Sequence, residues 1–293
     1  MTAPPDDALK ALPAALREKL DRCRDILRRL EGVVVAFSGG VDSTFLLALA
    51  VQTLGRQRVL AVTGVSPSVP QRELREAREL ARQLDAQWLE IPTGELDDPN
   101  YSANPADRCY YCKMDLFTRL AELARRRGLA AVVSGANADD KADFRPGLRA
   151  GAELGVVNPL MEAGLTKADV RAASRALGLP TWNKPAYACL ASRIPYGQPI
   201  TAERLGRIER AEAVLHELGL RCCRVRDHHP VARLEVPEEA IERAVALRRQ
   251  IVGPLKALGF AYVTIDLEGF RSGSMNETLQ HLGGDAGDAP DSD

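Results

Sequence analysis

The chain has 293 residues, 45% hydrophobic and 27% charged, which suits one large core or two ordinary ones under a normal surface. A net charge of −1 argues against nucleic acid as the main partner. No apolar run reaches the ~18 residues of a membrane span, and residues 1–7 lack the basic and apolar regions of a signal peptide, so the expectation is a cytosolic protein without a membrane partner.

Leu9, Leu12, Leu16, Leu20, Cys23, Leu27 and Leu30 recur at three- and four-residue spacing and predict one amphipathic helix, with Cys23 on its apolar stripe. Residues 33–37 predict a buried strand. It ends in Ser38-Gly39-Gly40-Val41-Asp42-Ser43-Thr44, and an apolar helix follows. Strand, glycine turn and helix build an anion site, because backbone N–H groups and the positive helix end converge on one spot. Gly39 and Gly40 let the backbone approach a phosphate. Ser38, Ser43 and Thr44 add hydroxyl groups, and Asp42 can help hold a magnesium ion. An ordinary strand-to-helix turn is the alternative.

Residues 59–63 predict a second strand, 70–84 a helix opened by Pro70, and 87–91 a third strand. A polar loop over 92–108 leads to a helix over 110–127 and a fourth strand over 130–134. A helix over 166–177 closes this half, with Thr166 and Asp169 spaced as a capping box. The alternation implies a parallel sheet with helices on both faces and ligands at the carboxyl ends of its strands. The 38–44 turn and the 134–140 segment, with Asp139, should face one cleft there. Residues 180–199, with four prolines, read as a linker. Beyond it, a helix over 201–218, strands over 221–226 and 231–236, a helix over 237–255 and a strand over 260–267 form a smaller α+β unit. The expected domains are 1–185 and 186–282, with a disordered tail at 283–293.

The six cysteines of a cytosolic chain are expected as thiols with metal or catalytic uses rather than as disulfides. Cys109-Tyr110-Tyr111-Cys112 is a C-x-x-C pair that suits a redox couple, half a zinc site, part of an iron–sulfur site, or two plain buried thiols. Cys189 lies in the linker, where Ser192 and Arg193 can bind an anion; a buried hydrophobe in an Ala-rich patch is the alternative. Arg224 and Arg226 alternate on a predicted strand and leave it on one face, which suits phosphate or carboxylate recognition or a plain exposed face. The segment from Asp266 to Asn276 is rich in Gly and polar groups and suits either a ligand site or an oligomer contact.

The 38–43 turn resembles the Ser-Gly-Gly-x-Asp-Ser PP-loop of the ATP pyrophosphatases, enzymes that cleave ATP to AMP and pyrophosphate. Over nearly the full chain the sequence resembles the LarE family of ATP-dependent sulfur transferases. The matching segments are 37–44, Asn104-Pro105 with Arg108-Cys109-Tyr110-Tyr111-Cys112-Lys113, 135–140 with Arg145-Pro146-Gly147, Asn158-Pro159-Leu160, Lys184-Pro185 with 189–197, Arg224-Val225-Arg226, and 266–276. The resemblance implies a Rossmann-like PP-loop domain of the adenine nucleotide alpha hydrolase type, followed by a smaller α+β domain. It implies ATP and magnesium at Ser38, Gly39, Gly40, Val41, Asp42, Ser43 and Thr44, with Asp139, Arg193, Arg224 and Arg226 as further binding residues. It also implies adenylation of the carboxylates of a pyridinium dicarboxylate mononucleotide, on the way to a nickel-pincer cofactor. The sulfur comes from Cys189 itself, leaving dehydroalanine, or from a 4Fe–4S cluster held by Cys109, Cys112 and Cys189. A homo-oligomer, first of all a hexamer, is implied as well. The competing readings are a tRNA thiolase, an amide-forming synthetase of the same superfamily, and a non-catalytic AMP- or metal-binding regulator.

Overall fold

The computed structural model describes residues 7–142, 146–185 and 188–271. The tail at 283–293, residues 272–276 of the glycine-rich segment, Arg145, Ala186 and Tyr187 lie outside the described residues. The chain divides into two compact units: residues 7–101 with 107–185, and residues 102–106 with 188–271.

The first unit begins with α1 (Asp7–Lys10) and α2 (Ala14–Leu30). The expected single helix is broken here. Pro13 cannot donate a backbone hydrogen bond, so it caps α2 instead of lying inside a longer helix. Then come β1 (Val33–Ala36), α3 (Val41–Leu54), β2 (Val59–Val65), α4 (Gln71–Gln83), β3 (Gln87–Pro92), α5 (Pro99–Ser102), α6 (Arg108–Arg127) and β4 (Ala131–Val133). After these come α7 (Pro146–Glu153), α8 (Pro159–Glu162) and α9 (Lys167–Ala176). The capping box of α9 forms as expected: the Asp169 N–H donates to Thr166 Oγ1 at 3.2 Å and the Thr166 N–H to Asp169 Oδ2 at 3.1 Å.

The sheet is wholly parallel, in the order β3-β2-β1-β4. Period-two alternation sends Val33 and Val35 of β1 into the core shared with α2, α3 and α4. Val34 points to the opposite core, with Phe117 and Leu120 of α6. Helices thus cover both faces, and α/β is the fold class. Helix α3 is buried from Val41 to Val51 apart from Asp42, an apolar helix at the centre of its unit. Each of Leu46, Leu47 and Leu49, fully buried, contributes about 1.5–3 kcal/mol of hydrophobic stabilisation. The connection after β1 turns toward β2, whereas β4 lies on the other side of β1. That divergence opens a crevice at the carboxyl ends of β1 and β4.

The second unit holds α10 (Ala202–Glu217), β5 (Arg224–His228), β6 (Val231–Glu235), α11 (Ile241–Ala246), α12 (Arg248–Ala257) and β7 (Tyr262–Ile265). β5 is antiparallel to β6, and β7 is parallel to it. The expected strand at 221–226 starts later, at Arg224, and the expected helix at 237–255 is split at Leu247. Ala211, Leu215, Val225, Leu234 and Leu255 form its core.

Candidate functional site

In the first unit the 38–44 turn joins β1 to α3, as its composition predicts. Gly39 has φ +69°, a left-handed conformation that favours glycine. A Cβ there would lie 3.1 Å from the Ala77 Cβ, so glycine also lets the turn press onto α4. Hydroxyl groups brace the turn from within. Ser38 Oγ and Ser43 Oγ are 3.1 Å apart, and Ser43 Oγ donates to the Gly40 carbonyl at 3.3 Å. The Thr63 hydroxyl donates to the Phe37 carbonyl at 2.8 Å, and Trp88 Nε1 in turn donates to Thr63 at 3.1 Å. Gly40, the N-cap of α3, supplies no side-chain cap. The first-turn N–H groups of α3 therefore form an electropositive end suited to an anion.

The loop after β4 closes against this end. A Cβ on Gly135 would lie 2.8 Å from the Ser43 backbone nitrogen, so only glycine permits the approach. Asn137 Nδ2 donates to Asp42 Oδ1 at 3.4 Å. The Asp140 carboxylate accepts the Asn137 N–H at 2.9 Å and fixes that loop. Asp139 is exposed, and its Oδ2 accepts the Lys167 N–H at 2.9 Å, where α9 begins. Lys167 Nζ makes an ion pair with Asp42 Oδ2. Asp42 and Asp139 are thus joined through one lysine. Buried Thr44 has an Oγ1 with no partner among the described residues.

Lys184 reaches the same turn. Its ammonium donates to Glu73 at 2.8 Å, to Glu76 at 2.9 Å and to the Gly39 carbonyl at 3.3 Å. Burial disfavours its charge, but the hydrogen bonds to Glu73 and Glu76 outweigh burial and raise its pKa. Burial likewise works against the Glu76 carboxylate, and its bonds to Lys184 and Arg72 bring it below the ordinary range. Sequence reading does not identify Lys167 as part of the site, and it knows Lys184 only through the Lys184-Pro185 pair of the family match. Their partners lie 125 and 145 positions away, so no local pattern reveals them.

Cys109 lies in the first turn of α6 and Cys112 at the start of the second, Cys109 exposed and Cys112 half-buried. Three positions apart, they share one helix face. Cys189 belongs to the second unit, half-buried at the start of the short turn Leu190–Arg193. Among the described residues there is no disulfide, and no group of three or more His, Cys, Asp or Glu is placed to hold a metal ion.

Two arginines shape the Cys189 turn. Arg193 donates to the carbonyls of Ala188 at 2.6 Å and Cys189 at 3.0 Å, and its other nitrogens form a buried pair with Glu212. Arg226 donates to the Ser192 carbonyl at 2.6 Å and pairs with buried Glu235 through two bonds of 2.8 and 2.7 Å. Arg193 and Arg226 therefore each have a carboxylate partner. Arg224 has none within ion-pair distance among the described residues. It is buried, with its guanidinium 4.4 Å from the centre of the Phe270 ring. Burial, then repulsion from Arg193 and Arg226, pulls its pKa down to about 10. The charge of an anion reaching Arg224 would offset both costs.

Residues 10–128 match the NAD synthase family. The chain is 42% identical over 253 residues, 86% of its length, to the pyridinium-3,5-bisthiocarboxylic acid mononucleotide synthase of Lactiplantibacillus plantarum, of which 92% is covered. It is 44% identical over 271 residues to an uncharacterised protein of Synechocystis sp., covering 90% of this chain and 99% of that one. A shorter likeness, 47% over 60 residues, covers 20% of this chain and 22% of an NH3-dependent NAD+ synthetase of Pyrobaculum aerophilum.

Proposed function

The chain belongs to the LarE family of pyridinium-3,5-bisthiocarboxylic acid mononucleotide synthases, PP-loop enzymes that use a nucleotide, and on that premise we propose that it thiolates the carboxylates of a pyridinium dicarboxylate mononucleotide through acyl-adenylates. The observation that carries this reading is the uncapped start of α3, lined by Gly39, Gly40 and the Ser38 and Ser43 hydroxyls. ATP lays its phosphates there, on the N–H groups of Val41, Asp42 and Ser43, with Thr44 behind them. Lys167 is the cation beside the phosphates. A substrate carboxylate oxygen attacks the α-phosphorus, and pyrophosphate leaves. The acyl-adenylate is then open to a sulfur nucleophile, which forms the C–S bond as AMP departs.

Magnesium, when bound, screens the charge on the phosphates. It is commonly held by one or two carboxylates plus phosphate oxygens. Asp42 and Asp139, which Lys167 joins, fit that role. Arg224 reads an anionic group of the pyridinium mononucleotide. Arg193 and Arg226 hold the Cys189 turn in place.

The sulfur source has two forms. Cys109, Cys112 and Cys189 have the thiol chemistry to hold a 4Fe–4S cluster, which when bound supplies sulfide. Without a cluster, the Cys189 sulfur attacks the adenylate itself. Loss of the Cys189 Hα as a proton then breaks its Cβ–Sγ bond, giving dehydroalanine and a thiocarboxylate. The protein works in the cytosol as a homo-oligomer, with a hexamer the first state to test by light scattering.

The decisive assay is exchange of labelled pyrophosphate into ATP, which should depend on the pyridinium substrate. ATP binding without exchange would overturn the enzymatic reading. Iron and sulfide content after anaerobic isolation separates the two sulfur sources, as does the mass of Cys189 after turnover. A loss of one hydrogen sulfide from Cys189 favours self-donation, and iron with an unchanged Cys189 favours the cluster.

A further inference from the structure

Asn104 has φ +60°, in the left-handed region, and is fully buried. Asparagine tolerates that backbone better than most residues. Asn104 belongs to the short segment Ser102–Ala106, which packs with residues 188–271 rather than with its chain neighbours. Its Nδ2 donates to the Ile194 carbonyl at 3.2 Å and to the Pro195 carbonyl at 2.8 Å. Its own backbone carbonyl accepts the Gly197 N–H at 2.9 Å, and the Ser102 carbonyl accepts the Ile200 N–H at 2.8 Å. Both amide hydrogens are used, while Oδ1 is buried without a partner among the described residues. Turned over, the amide would set Oδ1 against two carbonyl oxygens, so its orientation is fixed by its donors. A residue that leaves a buried oxygen unpaired to make these two bonds is held there by what it donates to.

What it donates to is the exit of the Cys189 turn. That turn is closed by the Ser192 N–H on the Cys189 carbonyl at 3.0 Å and by the Ile194 N–H on the Ala191 carbonyl at 3.1 Å. Arg193 holds its inner side, through the carbonyls of Ala188 and Cys189. Asn104 holds its outer end, through Ile194 and Pro195.

We propose that Asn104 is a positioning residue for Cys189, orienting the thiol for sulfur transfer by fixing the far end of its turn. The proposal rests on Cys189 serving as sulfur donor or ligand, as above. Two variants separate the side chain from the backbone. Asn104→Gly keeps the left-handed turn and removes the amide. Asn104→Asp keeps the shape but can only accept, so it faces the two carbonyls with charge.

Cys189 alkylation by iodoacetamide is followed by peptide mass spectrometry, with Cys223, buried in the core of the same unit, as the folding control. Cys189 labelling should accelerate at least fivefold in Asn104→Gly and more in Asn104→Asp, with Cys223 still protected. Thiolation kcat should fall at least tenfold, while pyrophosphate exchange and its KM for ATP change less than twofold. Exchange falling in parallel with thiolation, or Cys189 labelling unchanged in both variants, would overturn the proposal. Should one variant expose Cys223, the other carries the measurement. The labelling arm needs no substrate, so a wild type without pyrophosphate exchange would sink the reaction assignment and leave this test standing.

Discussion

Replacing Lys184 by Met tests how the PP-loop is held. The lysine and Glu73 side chains are 12% and 13% exposed, and Glu76 is 36% exposed. Removing one partner of a fully buried pair costs about 3–5 kcal/mol. The partial exposure of Glu76 lowers the expectation here to about 2–3 kcal/mol. The lost bond to the Gly39 carbonyl should also loosen the turn and weaken ATP binding about tenfold, or about 1.4 kcal/mol. Both tryptophans, Trp88 and Trp182, lie in the first unit, so urea unfolding read by their fluorescence reports that unit. Calorimetry gives the ATP affinity. The pH dependence has a definite sign. Lys184 has a raised pKa, so its contribution is present below the ordinary lysine value and lost as pH rises through the folded value. Glu76 has a lowered pKa, so its contribution is present above the ordinary carboxylate value and lost as pH falls through the folded value. Wild type and variant should therefore differ most near neutrality and converge at both extremes. Adding Glu73→Gln and Glu76→Gln should restore most of the stability but not the affinity. A Lys184→Met protein within about 0.5 kcal/mol of wild type, with ATP affinity within twofold, would refute the reasoning.

Gly135→Ala sets a Cβ against the Ser43 backbone nitrogen and should weaken ATP binding more than about tenfold, while circular dichroism shows the fold retained. Arg224→Met removes a buried cation whose depressed pKa marks a stability cost, present below about 10 and relieved as pH rises through it. That variant should gain about 1–3 kcal/mol in urea unfolding while its KM for the pyridinium substrate rises at least tenfold; lower stability at neutral pH would contradict the assignment. Burial pushes the Cys23 thiol up to about 12, so it should resist alkylation at pH 8 until the first unit unfolds.

The PP-loop and its strand were legible because their signals are local. β-branched residues run into glycines, an apolar run follows, and Gly39 takes the left-handed conformation where the pattern puts a glycine. The α9 capping box was legible for the same reason. The break before α2 was missed because the leucine periodicity continues across Pro13 although the backbone hydrogen bonds cannot. Lys167 and Lys184 were illegible because a lysine's role depends on which carboxylate it meets, and theirs come from distant helices. Arg224 and Arg226 look alike in sequence, two positions apart on one strand. Glu235 across the hairpin separates them, pairing with Arg226 and leaving Arg224 with no carboxylate within ion-pair distance among the described residues.

The place of Ser102–Ala106 in the fold also bears on how the protein is made. A ribosome releases Asn104 with 90 residues still to add before Ile194, its hydrogen-bond partner, exists. The second unit therefore takes in a piece of chain made long before the rest of it. A fragment that starts after this segment would lack the donor its cysteine turn closes on, so separate expression of the two units calls for the segment to be supplied as a peptide.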